Sequence, residues 1–215
     1  MLVYPNYTRS ELVADGVVHV VSIVFCVAAI ATLLTSAAYE SSGNTIVILT
    51  IYGFAMLAMF SCSAAYHMVP FMNWKGLLRR FDQAAIFMKI AGTYTPFALL
   101  KIGGFWGYGL FGTVWFFALL GAGMILSMRQ NRSNWIVLLY IALGWVGVAV
   151  LWPLVASLSA VALFFLFSGG ILYSTGTIFH VWESLPFSNV IWHGFVLVAT
   201  VCHYFAIYFA VLVDV

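Results

Sequence analysis

The feature that most constrains this chain is a succession of apolar runs, each long enough to cross a bilayer and separated from the next by a short break. A spanning helix needs about 20 mostly apolar residues, because the hydrocarbon core is about 30 Å thick and each helical residue rises about 1.5 Å. Breaks at charged, Pro and Gly clusters place helices at 17–38, 45–69, 82–100, 105–127, 135–152, 157–180 and 190–212. The expected fold class is an all-α polytopic membrane protein, a bundle of seven transmembrane helices forming one domain over residues 1–215. The boundary between the fifth and sixth helices rests on Trp152-Pro153; a kink there inside one long helix would reduce the count to six.

Composition agrees. The chain is 65% hydrophobic and 7% charged, where soluble domains run near half apolar and a quarter charged. With 215 residues, the spans leave no room for a soluble domain. The segment ahead of the first span carries Arg9, Glu11 and Asp15 and lacks a basic start and a small-residue cleavage site, so no cleaved signal peptide is expected. Cys26, Cys62 and Cys202 each sit inside an apolar run, which suits small buried hydrophobes better than a disulfide framework. A net charge of +2 with no basic stripe argues against nucleic acid as a partner. No internal repeat is visible, and the glycines within the spans, such as Gly121, Gly169 and Gly176, suit close helix packing.

Polar groups in hydrocarbon are costly, so each one at a span end is a functional candidate. Ser63 and His67 close the second helix, Asp82 opens the third, and Asn189 and His193 open the seventh; on the seven-helix map these ends meet at one level. Within each pair the spacing is four residues, so both side chains project from one helix face. Neutral imidazole is the commonest zinc ligand, and a carboxylate beside it ligates the metal, orients a ligand or accepts a proton from bound water. A metal site on the cytoplasmic side is therefore one reading.

Blander readings stand beside it. The histidines also fit simple interface positions. Asp82 also fits a first-turn carboxylate favoured by the helix dipole, and Ser63 a packing hydroxyl. Glu11, Asp15 and His19 recur every four residues and read chiefly as an anchor for the first helix, with support of the site as the alternative. Lys89 reads as a snorkelling or paired cation, with a substrate-facing role as the alternative, and His203, about 15 Å along the axis from His193, as a polar contact in the bundle. Pro96 should kink the third helix, with Thr93 and Thr95 available to bond freed carbonyls.

The series Glu11, Asp15, His19, the stretch from Ser63 to His67, FDQAAIFMKIAGTYTPF from Phe81, LGW from Leu143, YSTGTIF from Tyr173 and IWHGFVL from Ile191 together resemble the hemolysin III branch of the progestin and adipoQ receptor superfamily. The resemblance implies a seven-helix bundle with its N-terminus in the cytoplasm, and zinc held by a His of helix two and two of helix seven. Ser63 and Asp82 then stand beside the metal-bound water, and related receptors and ceramidases imply hydrolysis of a lipid amide. Asn189 departs from that pattern, because it occupies the place of the first helix-seven His. Gln83 and His180 also stand where many relatives carry His and Tyr respectively. His19 and His180 are the candidate replacement ligands, with Asp82 as a further one.

The leading expectation is a zinc-dependent membrane hydrolase of a lipid amide or ester, with His67 and His193 on the metal and Asp82 and Ser63 catalytic. The alternative is a non-enzymatic membrane-homeostasis or sensor protein with a degenerate structural metal site, and a cytolytic role follows from the family name alone. Membrane lipids are the expected partners, and the bacterial plasma (inner) membrane the expected location.

Arg9, Lys75, Arg79, Arg80, Arg129 and Arg132 share one side of the seven-helix map, against Lys101 on the other, so the positive-inside rule sets the N-terminus in the cytoplasm and the C-terminus outside. Reporters fused after Arg80 and Arg132 should therefore read cytoplasmic, and those near Glu40 and after Val215 external; a cytoplasmic C-terminus contradicts the map.

Overall fold

The computed structural model describes residues 7–40, 43–70, 72–127, 135–182 and 184–213; Arg129, Arg132 and Asp214 lie outside them. The elements are α1 (Arg9–Glu40), α2 (Gly43–Met68), α3 (Met72–Pro96), α4 (Gly104–Ser127), α5 (Trp135–Gly144), α6 (Leu151–Ser157), α7 (Ala160–Val181) and α8 (Ser188–Tyr208), and no strand occurs among the described residues. Six helical segments are long and apolar enough to cross a membrane: α1, α2, α4, α7, α8 with its continuation to Val213, and α5 with α6 as one segment, Trp135–Ser157. The seventh helix is α3, whose first half carries Lys75, Arg79, Arg80 and Asp82. Its second half buries Ala84, Phe87 and Ala91, and the helix packs against α2, α4 and α5. The chain is an all-α polytopic membrane protein of seven helices.

Large apolar side chains face outward along the spans, among them Val24, Phe54, Phe116 and Phe164. Lipid tails are as apolar as these side chains, so nothing drives them inward and the helices associate through close packing. A Cβ on Gly92 would lie 2.6 Å from the Ala55 Cβ, and one on Gly121 would lie 2.6 Å from the Phe87 ring. All the cysteines are free.

The expected break at Trp152-Pro153 is not where the chain turns. Pro153 lies in the first turn of α6, where its missing N–H has no helical carbonyl to bond. The turn comes at extended Leu158, after which the Ser159 hydroxyl accepts from the Ala162 N–H at 3.2 Å and caps α7. Within this span the winding tightens to a 3₁₀ turn at Val146–Val150. Tyr94 of α3 repairs the interruption: its hydroxyl donates to the Gly144 carbonyl at 2.5 Å and accepts from the Gly147 N–H at 3.0 Å. Pro96 ends α3, and the chain continues as a π-helical turn, Phe97–Ile102. Thr93 and Thr95 donate to the Lys89 and Ala91 carbonyls, not to the Gly92 carbonyl that the proline frees.

Two helices begin about two turns or more ahead of the expected start, α1 at Arg9 instead of 17 and α3 at Met72 instead of 82. Asp82 thus lies well inside α3, which overturns its reading as a first-turn carboxylate.

The α2–α3 contact should tolerate no added atoms, because an alanine Cβ cannot rotate aside. Gly92→Val should cost about 1–3 kcal/mol through overpacking and lower the melting temperature in detergent. Gly109→Val, at an exposed glycine with open space around it, should leave the melt unchanged.

Candidate metal centre

Four helices bring polar side chains to one end of the bundle, where α2 finishes and α3 and α8 begin: Asp15 and His19 from α1, Ser63 and His67 from α2, Asp82 from α3, Asn189 and His193 from α8. Two ties fix the helix ends. The Glu11 carboxylate accepts from the Thr8 N–H at 2.8 Å and, at 2.8 Å, from the N–H of Phe187, the residue that caps α8. Phe187 adopts the left-handed conformation (φ 59°), rare for a bulky residue, and this bond helps to hold it there. Lys75 donates to the Tyr66 and His67 carbonyls at the exposed end of α2. Glu11 is thus the anchor of the series on α1, while Asp15 and His19 point into the site.

The Asp15 carboxylate, 3% exposed, is the hub. Its oxygens lie 2.6 Å from Nδ1 of His193, 3.7 Å from Nδ1 of His19 and 3.8 Å from Nδ1 of His67. The His193 Nδ1–H donates to it, and the His19 Nδ1–H donates to the Asp15 backbone carbonyl at 2.8 Å. Oxygens of these kinds accept, so both rings carry their proton on Nδ1 and leave a lone pair on Nε2. Both Nε2 atoms approach the Ser63 hydroxyl, at 3.2 Å from His19 and 3.4 Å from His193, and that hydroxyl also pairs with the Asp82 carboxylate. One hydroxyl proton cannot serve three acceptors. Lone pairs in excess of protons are what a cation satisfies, and Asp15, His19 and His193 form a buried group whose ligand atoms lie within 4.8 Å of one another.

That group joins His193 with His19 and Asp15. The His67 ring still belongs to the cluster, with centroids 4.8 Å from His193 and 5.7 Å from His19. Its Nδ1 faces the Asn189 amide nitrogen at 3.3 Å, and that NH₂ also donates to Asp15 at 3.1 Å. The carboxylate fixes which end of the amide points inward, so Nδ1 of His67 accepts a hydrogen bond from that NH₂. Asp82 and His180 line the same cavity outside the group, the His180 ring packing on Trp192 at 5.1 Å. Asp15 is the participant that sequence reading took chiefly as part of an anchor, with support of the site as the alternative. Its spacing of four from His19 matches the other pairs, but the hydropathy-based helix start put it in a tail.

From this cluster a cavity of about 300 Å³ runs between the helices, within the range of small-molecule sites. Its walls are largely apolar and aromatic, including Ile86, Ile90, Tyr140, Phe167 and Trp192.

The chain matches the family described as "Haemolysin-III related" over residues 7–204. It is 36% identical over 203 residues to the "Hemolysin-3 homolog" of Bacillus subtilis (strain 168), covering 94% of this chain and 95% of that protein. It is 32% identical over 202 residues to "Hemolysin-3" of Bacillus cereus, covering 94% and 92%. The human "Monocyte to macrophage differentiation factor" is 27% identical over 168 residues, 74% of this chain and 68% of that protein. No solved structure matches. With its seven-helix bundle and a match across nearly its whole length, the chain belongs to the haemolysin III-related family of the progestin and adipoQ receptor superfamily.

Proposed function

We propose that this protein is a zinc-dependent membrane hydrolase of a lipid amide or ester, resident in a bacterial plasma membrane with its N-terminus in the cytoplasm. The observation that carries the reading is the buried Asp15, His19 and His193 group at the end of a largely apolar cavity. The two imidazoles present Nε2 lone pairs as catalytic zinc sites do, with the Asp15 carboxylate bonded behind the His193 ring as the outer-shell acid. The remaining positions take further donors, water or substrate. His19 supplies the imidazole that the chain lacks at Asn189, and Asp15 holds the His193 ring through Nδ1 and so aims its Nε2.

Zinc in this group supplies a Lewis acid and lowers the pKa of bound water toward neutrality. The apolar walls receive an acyl chain and exclude water beside its carbonyl. Asp82 accepts the proton that leaves the water as its oxygen adds to the carbonyl carbon. It returns that proton to the departing nitrogen or oxygen as the C–N or C–O bond breaks, leaving a carboxylic acid and an amine or alcohol. Ser63, between Asp82 and the two Nε2 atoms, positions both.

Asn189 favours a second reading, a structural metal in a membrane sensor, because an amide is a poor zinc ligand. Zinc per chain after mild chelation separates the ligand sets. Wild type should retain zinc, while His19→Ala and His193→Ala should lose it and Asp15→Asn should bind about 10–100-fold more weakly. His67→Ala should weaken retention less than His19→Ala, and Asn189→His should strengthen it. If wild type holds no zinc, the metal reading fails.

Catalysis is tested separately. In a lipid amide and ester screen, Asp82→Asn should lower turnover by about 10²–10⁴-fold with zinc content and melting temperature unchanged. Zinc-replete protein that turns over no amide or ester supports the sensor reading.

A further inference from the structure

Lys89 has no role in the centre just described. It is 3% exposed, on the buried half of α3, and it lines the same cavity as Ser63, Asp82 and His193. Among the described residues its ammonium makes no hydrogen bond or ion pair; the Tyr173 ring lies 4.7 Å from Nζ to centroid, and the Cys26 thiol and His203 imidazole are near enough to interact with it electrostatically. Asp82 lies seven residues back on the same helix, about 10 Å along the axis, and is engaged with Ser63. Asp15 is committed to the histidines and Glu11 to Thr8 and Phe187. A cation at membrane depth is costly unless an anion or water-filled space compensates, and a cation–π contact offsets only part of that cost. The surroundings provide donors and rings but no anion: Tyr173 donates or accepts only with Thr200, and Nδ1 of buried His203 has no partner.

We infer that Lys89 binds an oxyanion, a carboxylate or a phosphate, carried on an apolar chain that lies in the cavity. The occupant supplies the missing counter-charge, and the largely apolar cavity lining accepts its chain. A neutral lipid of equal length lacks that interaction, so Lys89 selects anionic single-chain amphiphiles over neutral ones. The inference does not depend on a metal being bound, since Lys89 lies about two helical turns from Asp82.

Trp145 and Trp192 line the cavity and report its occupancy. The full chain in phosphatidylcholine nanodiscs, with zinc and after chelation, is titrated with a brominated long-chain carboxylate, the matched alkyl phosphate and the matched alcohol, and quenching of tryptophan fluorescence is followed. Wild type should bind one or both anions saturably and in preference to the alcohol; the two anion arms show which oxyanion fits. Lys89→Met should weaken anion binding about tenfold or more and leave the alcohol unchanged, while Lys89→Arg should stay within about threefold of wild type. Equal anion affinity in wild type and Lys89→Met overturns the inference, as does a parallel loss of the alcohol or the absence of saturable binding by any anion. Unchanged zinc retention in Lys89→Met separates this result from a failure of the metal reading.

Discussion

A single carboxylate in a low-dielectric setting organises this end of the bundle. Asp15 faces Nδ1 of His193, His19 and His67 and also accepts from Asn189, so residues from three helices converge on one acidic side chain. Removing the charge while leaving the rings would strand polar groups in a place where each unmet group costs on the order of a few kcal/mol. The carboxylate sets which nitrogen of His193 carries its proton, as the Asp15 backbone carbonyl does for His19, and both Nε2 lone pairs thereby turn toward Ser63. Any metal chemistry here rests on that ordering.

The bundle supports the hub through local devices. Glu11 bonded to the Phe187 N–H fixes the start of α8 relative to α1, which sets the height of Asn189 and His193 against Asp15. Lys75 closes the free end of α2 just past His67. Farther in, Tyr94 fills the gap where the fifth span changes winding, so the irregular backbone beside the cavity keeps its hydrogen bonds. Irregular backbone at membrane depth is tolerated where it lines a cavity, and Gly144 and Gly147 both do.

The helical architecture was legible from the apolar runs alone, because bilayer thickness dictates their length. So were the pairs Ser63/His67 and Asn189/His193, since spacing of four on a helix needs no tertiary information. Helix starts were less so: hydropathy marks where a span enters hydrocarbon, not where helical winding begins, and this hid the position of Asp15 inside α1 and of Asp82 inside α3. The turn at Leu158 was hidden for a related reason, since Pro153 is a breaker in mid-helix but harmless in a first turn. Which imidazoles gather around Asp15 beside Asn189 depends on distances between α1, α2 and α8, and no spacing along the chain encodes them.

X-ray absorption at the zinc edge of the purified protein addresses the central claim most directly, because it counts ligands by type. The account predicts a shell of nitrogen and oxygen donors at about 2.0–2.2 Å, with imidazole scattering that falls by one ring in His19→Ala and stays the same in His67→Ala. Imidazole scattering that survives in His19→Ala and drops in His67→Ala would contradict it.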